Sequence, residues 1–134
     1  MNTTKTDTVP VRTGEDTVRA RQRVKAWMAE LRFSLVEQTK MATAVSELAR
    51  NAVVHGGGGS ARLELMADGG RTGIRVTFED QGPGTADIEK ALKGGFSTGG
   101  GLGLGLSGAR RLVNEFEIWS EPGKGTRVTI TRWK

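Results

Sequence analysis

The strands that this sequence predicts are apolar on only one side. Apolar and polar residues alternate in three segments, at Ile74, Val76 and Phe78, at Phe116 and Ile118, and at Val128 and Ile130. Because successive side chains of a strand point to opposite faces of its sheet, each of these strands can bury one face only. The pattern predicts a mixed or antiparallel sheet that helices cover on one side, which is a two-layer α+β sandwich.

Two helices are predicted before these strands. From Glu15 to about Phe33 the apolar residues recur at steps of three and four, so they form one buried stripe. Ser34 with Glu37 three residues later is a capping box, and it opens a second helix that runs to about His55. The core stripe of the second helix is predicted to be Val36, Ala44, Val45, Leu48, Ala49 and Ala52.

Length and composition predict a single domain over residues 1–134, with room for one core. Residues 1–8 are polar and are expected to be a loose start, followed by a short edge strand at 9–12. The chain has no cysteine, which excludes disulfides and thiolate metal sites. It also has no apolar run near the roughly 18 residues of a membrane span, so we expect a cytoplasmic protein with no membrane contact.

The net charge of +5 and the pI near 10.1 would suit a nucleic-acid-binding protein. However, the basic residues are interspersed with acidic ones and form no run longer than Arg110-Arg111. We therefore expect no nucleic-acid partner, and a surface charge that favours an acidic protein.

The remaining segments are predicted to be short. Residues 61–65 and 72–80 alternate around the turn Asp68-Gly69-Gly70 and form a hairpin. Residues 85–92 are compatible with a short helix, and a further helix begins near Gly105 and runs to Asn114.

The segment Asp80-Gln81-Gly82-Pro83-Gly84 follows one of the predicted strands directly. Asp80 has the same parity as Phe78, so its carboxylate is expected to face the core side of the sheet, at its mouth. Gly82 and Gly84 let the chain turn with positive φ and leave no side chain between the backbone and a ligand. Taken alone, the segment is more typical of an ordinary turn at a strand end. Together with the two motifs below, it indicates the edge of a pocket.

Three polar residues, Glu47, Asn51 and His55, recur every four residues along the second helix and line one edge of it. A solvent-facing polar edge is the ordinary alternative for Glu47 and Asn51. For His55 we prefer a role at the end of the helix, where an imidazole can bond the last carbonyls.

Glycine makes up 20 of the 134 residues and is concentrated at 56–59 and 94–108. Residues 103–108 match G-x-G-x-x-G, but no strand precedes them, which disfavours a dinucleotide site. Residues 123–126 lack the loop and the following helix of a Walker motif. A mobile glycine loop that enters a helix N-terminus at 103–106 remains, and free N–H groups there suit a polyphosphate. The leading interpretation is a lid over a nucleotide.

Three blocks in this order, 47–55, 80–84 and 101–106, with Gly125-Thr126 after them, resemble the GHKL ATPase/kinase superfamily. The resemblance covers about residues 34–133. Within the superfamily, 46–51, 79–84 and 95–98 are most similar to the RsbT-type serine/threonine kinases of bacterial stress-response partner switching, in the anti-sigma regulatory factor family. The resemblance implies the Bergerat fold, which is the histidine-kinase-like ATPase fold.

The resemblance also implies ATP and Mg²⁺ as cofactors. It assigns Asp80 to the adenine amino group, Asn51 to Mg²⁺, and Glu47 to the attacking hydroxyl as a base. The backbone of the glycine lid would close over the phosphates. The residues implied to contact ATP are Asn51, Asp80, Gly82, Gly84, Gly101, Gly103, Gly105, Leu106 and Thr126, with Arg50 as a further candidate for the γ-phosphate.

Three functions follow as hypotheses from this resemblance. The first is a kinase that phosphorylates a Ser or Thr of a STAS-domain antagonist and, when released, activates a PP2C-type phosphatase. The second is an anti-sigma factor of the same fold, which binds a sigma factor and phosphorylates an anti-anti-sigma protein. The third, a minimal ATP-hydrolysing domain, is disfavoured because hydrolysis in that group needs elements beyond this domain.

Overall fold

Five strands and three helices make up the part of the chain that this computed structural model describes, which is residues 2–84 and 105–134. In chain order they are β1 (Asn2–Val11), α1 (Gly14–Glu30), α2 (Leu35–Val54), β2 (Gly59–Asp68), β3 (Arg71–Asp80), α3 (Gly105–Arg111), β4 (Glu115–Glu121) and β5 (Gly125–Trp133). The predicted helix at 85–92 lies outside the described residues. Among those residues, no helix is long and apolar enough to cross a membrane.

The strands form one sheet in the order β1-β2-β3-β5-β4. Every pairing between described strands is antiparallel, so the two-layer α+β prediction is confirmed while its mixed-sheet alternative is wrong. A single apolar face per strand fits this arrangement, because an antiparallel sheet can leave its other face to solvent. The helices pack on the apolar face.

The core lies between this face and the two long helices. The predicted stripe of α1 is confirmed at Ala20, Val24, Trp27 and Met28, which are buried. The helix ends at Glu30 and not near Phe33, so Leu31, predicted as the last residue of the stripe, is the C-cap and is only half-buried. On the sheet, the buried positions opposite the helices include Val9, Val11, Ala61, Leu63, Ile74, Val76, Phe78, Val128 and Ile130. Burial of these side chains is the main favourable contribution to folding.

The capping box of α2 is confirmed. The Glu37 backbone N–H donates to Ser34 Oγ at 3.1 Å, and the Ser34 N–H donates to Glu37 Oε1 at 3.2 Å. Val36, however, was wrongly placed in the core stripe, because it is 63% exposed. At 3.6 residues per turn, Val36 is rotated by about 140° from the buried Met41, which puts it on the opposite side of the helix.

The expected loose start over residues 1–8 is wrong. β1 begins at Asn2 and pairs with β2 along its length, with one register shift between Thr3 and Lys5. Only Val9 and Val11 of this strand are buried, so its apolar signal is confined to its last residues. The polar first half is held as an edge strand through its backbone hydrogen bonds, which hydropathy does not reveal.

Candidate functional site

A polar row crosses the helix-facing side of the sheet at one end. Register partners in this row are Gly59 on β2, Asp80 on β3, Thr126 on β5 and Ser120 on β4. The next row on the same face is apolar and consists of Ala61, Phe78, Val128 and Ile118. The core therefore ends where this row begins. The carboxylate of Asp80 faces the core side, at its mouth, as its parity predicts.

Asp80 is half-buried, and one of its oxygens has a fixed partner. The Gly82 N–H donates to Asp80 Oδ1 at 2.9 Å. Burial raises the pKa of Asp80 above its ordinary value, while backbone hydrogen bonds with Gly82 and Thr126 partly oppose the shift. The remaining lone pairs of this carboxylate can accept a hydrogen bond from a neutral donor, such as an aromatic amino group.

Thr126 lies beside Asp80 and is joined to Ser120. The two hydroxyl oxygens are 2.9 Å apart, and Ser120 Oγ also donates to the Gly125 carbonyl at 3.1 Å. Ser120 is not among the site residues that the resemblance to the GHKL superfamily implies. The sequence could have indicated Ser120, because it has the same parity as Phe116 and Ile118 and therefore lies on the inward face of β4.

Close backbone approach explains the glycines after Asp80. Gly84 has φ +67°, and a Cβ there would lie 2.9 Å from the Gly125 carbonyl oxygen. Gly82 does not have the positive φ that the turn pattern predicts, so that part of the prediction is wrong. Instead, a Cβ at Gly82 would lie 2.6 Å from Gly56 Cα. Glycine is therefore required at position 82 by the backbone of Gly56, in the turn after α2, which packs against it.

The predicted polar edge of α2 leads away from Asp80. Glu47 and Asn51 are half-buried, and His55 is the C-cap residue. Gly56 follows the C-cap residue His55 and packs against the Asp80 side chain. Asn51 and Glu47 therefore lie between one and three helical turns along the axis from Asp80. Arg50 is exposed, and its direction from the helix axis differs from that of Asn51 by about 100°.

The glycine-rich segment is described only at its end. Gly101 and Gly103 lie outside the described residues. Gly105 is the first residue of α3, where the sequence predicts a helix to begin, but the helix ends at Arg111 and not at Asn114. Leu106 is half-buried and packs against the core cluster, and α3 packs against α2.

The described residues contain no group of three or more His, Cys, Asp and Glu side chains that could hold a metal ion by themselves. A cation at this site would take most of its ligands from another source. Mg²⁺ commonly binds in this way, with one or two protein oxygens together with phosphates and water. The amide oxygen of Asn51 fits that role chemically.

This fold agrees with comparisons to known proteins. Residues 36–134 match the model of the histidine kinase-, DNA gyrase B- and HSP90-like ATPases. A histidine kinase domain from Erythrobacter litoralis EL346 has the same fold, with a TM-score of 0.53 and 22% identity over 92% of this chain and 60% of that one. The chain belongs to this ATPase family.

Two relatives narrow the class further. The chain is 45% identical to the serine/threonine-protein kinase RsbT of Bacillus subtilis, over 93% of this chain and 94% of the relative. It is 34% identical to an anti-sigma F factor of Thermoanaerobacter sp., over 85% of this chain and 82% of that protein. The protein is an ATP-dependent serine/threonine protein kinase, similar in sequence to a serine/threonine-protein kinase and to an anti-sigma factor.

Proposed function

We propose that the polar row and the edge of α2 together bind MgATP. Asp80 accepts a hydrogen bond from the adenine amino group, with Thr126 beside it. Gly82 and Gly84 bring the backbone close to the base, and Asn51 provides an oxygen to Mg²⁺. The same proposal includes two further roles. A lid over the phosphates is formed by Gly101, Gly103, Gly105 and Leu106, and Arg50 contacts the γ-phosphate.

One observation carries this assignment. The half-buried Asp80 sits at the mouth of the core, beside the end of the helix that bears Asn51 and Glu47. The proposed acceptor for the base, Asp80, thus lies beside the C-terminal end of α2, and the polar edge with Asn51 and Glu47 extends from there along the helix. An elongated nucleotide requires its binding groups in such a line. Bound Mg²⁺ would neutralise phosphate charge. Glu47 would accept the proton of the acceptor hydroxyl, and it would hold that hydroxyl in line with the phosphate.

The proposed protein substrate is a Ser or Thr of a STAS-domain antagonist, and the proposed second partner is a PP2C-type phosphatase. The 45% identity to a serine/threonine kinase supports this reading over the anti-sigma alternative, at 34% identity. In that alternative, the second partner is a sigma factor. Both readings use the same MgATP site.

Replacing Asn51 with alanine is expected to remove most of the Mg²⁺ dependence of ATP binding. The variant loses the amide oxygen proposed for the metal but keeps Asp80 and the base contacts. Calorimetry with and without Mg²⁺ measures this difference. Thr43→Ala, at an exposed position on the same helix, is the matched control and should keep the wild-type dependence. An unchanged Mg²⁺ effect in Asn51→Ala would remove this residue from the metal site.

The partner assignment is tested by mixing the purified protein with MgATP, a STAS-domain protein encoded near its gene, and a PP2C-type phosphatase. We expect phosphate on a Ser or Thr of the STAS protein and stimulation of the phosphatase. The net charge of +5 predicts that association with an acidic partner slows as salt is added. A stable complex with a sigma factor, or a phosphatase that is not stimulated, would favour the anti-sigma function.

A further inference from the structure

Gly56 differs from the two glycines that follow it. Gly57 and Gly58 have φ of +72° and +103°, a region where glycine is favoured over other residues. Gly56 is not among the residues with positive φ, so its backbone conformation does not require glycine. The reason for glycine at this position lies in what surrounds it.

The surroundings of Gly56 leave no room for a side chain. A Cβ added at Gly56 would lie 2.6 Å from both Cβ and Oδ2 of Asp80 and would overlap its Cγ. From another direction, Gly82 packs so closely that its own added Cβ would lie 2.6 Å from Gly56 Cα. Real Cβ atoms do not approach other atoms this closely, so a methyl group at Gly56 must displace the Asp80 side chain or the helix end.

The position of Gly56 is itself set by α2. Its N–H donates to the Asn51 carbonyl at 3.1 Å, and the Gly58 N–H donates to the Ala52 carbonyl at 2.7 Å. These bonds hold the chain against the last turn of the helix. The surface against which the Asp80 carboxylate rests is therefore attached by backbone hydrogen bonds to the C-terminal end of the helix that carries Asn51.

We propose that Gly56 is a positioning residue for recognition of the base. Gly82 holds Asp80 Oδ1 by a hydrogen bond, while the bare backbone of Gly56 packs against the Oδ2 side. Together they restrict the carboxylate to one orientation before a nucleotide binds. This inference rests on the proposed contact between Asp80 and the adenine amino group. It adds that the orientation of the carboxylate, and not its presence alone, sets the strength of that contact.

The test compares ATP with purine riboside triphosphate, which lacks the 6-amino group. The ratio of their affinities measures the contact to the amino group alone. For the wild type we expect ATP to bind roughly ten- to hundredfold more tightly, as for a hydrogen bond to a charged group. In Gly56→Ala this ratio should fall close to one, while the affinity for purine riboside triphosphate stays within about twofold, since the phosphate contacts are unchanged.

Three further variants separate the possible outcomes. Gly14→Ala is the matched control, because a Cβ there has no atom within 4 Å, and it should keep the wild-type ratio. Asp80→Ala should abolish the preference for ATP, and adding Gly56→Ala to it should change the ratio no further. If Gly56→Ala does not fold, Gly82→Ala replaces it, because its methyl group presses on Gly56 from the other side. Gly82→Ala should then show the same loss of the preference for ATP.

A wild-type ratio in Gly56→Ala, while Asp80→Ala abolishes the preference, would overturn the role of Gly56 and leave the proposed function in place. An unchanged ratio in Asp80→Ala would instead refute the base contact on which both depend. Equal loss of both nucleotides in Gly56→Ala, or failure of both glycine variants to fold, would show that the packing serves only the fold. Each of these results would also contradict the inference.

Discussion

Replacing Glu47 with glutamine is expected to slow phosphoryl transfer by roughly 10²- to 10⁴-fold while MgATP binds with nearly unchanged affinity. Glutamine keeps the size of the side chain but cannot accept the proton of the attacking hydroxyl. Glu47 is half-buried on α2, one turn before Asn51. It is the residue that we propose as the base for a hydroxyl aimed at the γ-phosphate. Single-turnover transfer to the protein substrate measures the rate, and calorimetry measures the binding.

The matched control for this variant is Glu30→Gln, which makes the same chemical change at an exposed position near the end of α1. It should transfer phosphate at the wild-type rate. If Glu47→Gln loses nucleotide affinity as much as it loses rate, the residue contributes to binding or structure, and its assignment as a base is wrong.

Asp80→Asn is expected to weaken ATP binding by roughly ten- to hundredfold, which corresponds to about 1.5–3 kcal/mol for a hydrogen bond to a charged group. The amide can turn its NH₂ group toward the adenine amine, where an acceptor is needed, and it carries no charge. Calorimetry measures the affinity. Asp68→Asn, at the last residue of β2 and at the opposite end of the β2–β3 hairpin from Asp80, is the control and should bind ATP normally. Wild-type affinity in folded Asp80→Asn would remove Asp80 from the site.

The same substitution is expected to leave the protein at least as stable at pH 7. Burial raises the pKa of Asp80 in the folded state, so the folded protein binds this proton more readily than the unfolded chain does. The stabilisation of the folded protein by protonated Asp80 is thus fully present below the pKa of this residue in the unfolded chain. It is lost as pH rises through the pKa of this residue in the folded protein. Asparagine has no such dependence. Urea unfolding at several pH values should show the wild type losing stability relative to Asp80→Asn as this carboxylate ionises.

The parity of side chains predicted more of this molecule than overall hydropathy did. Alternation at Ile74, Val76 and Phe78 predicts both the buried face of β3 and the inward side of Asp80, and the structure shows both. The capping box at Ser34 likewise predicts the start of α2, because its two reciprocal hydrogen bonds are local. Local patterns of this kind depend on few residues and are visible in the sequence.

Contacts between distant segments could not be predicted in the same way. The first half of β1 is polar and exposed, and only its pairing with β2 makes it a strand. Gly82 is glycine because Gly56 packs against it, 26 positions earlier in the chain. The pairing of Ser120 with Thr126 depends on the register between β4 and β5. Sequence patterns contain no direct signal for contacts between residues that lie this far apart in the chain.

The most direct test of the proposed site is a crystal structure of the protein with Mg²⁺ and a non-hydrolysable ATP analogue. We predict that the adenine amino group lies within hydrogen-bonding distance of the Asp80 carboxylate and that the amide oxygen of Asn51 coordinates the metal. The γ-phosphate should then lie on the side of α2 that carries Glu47. A base bound away from Asp80, or a metal without Asn51 among its ligands, would contradict this account.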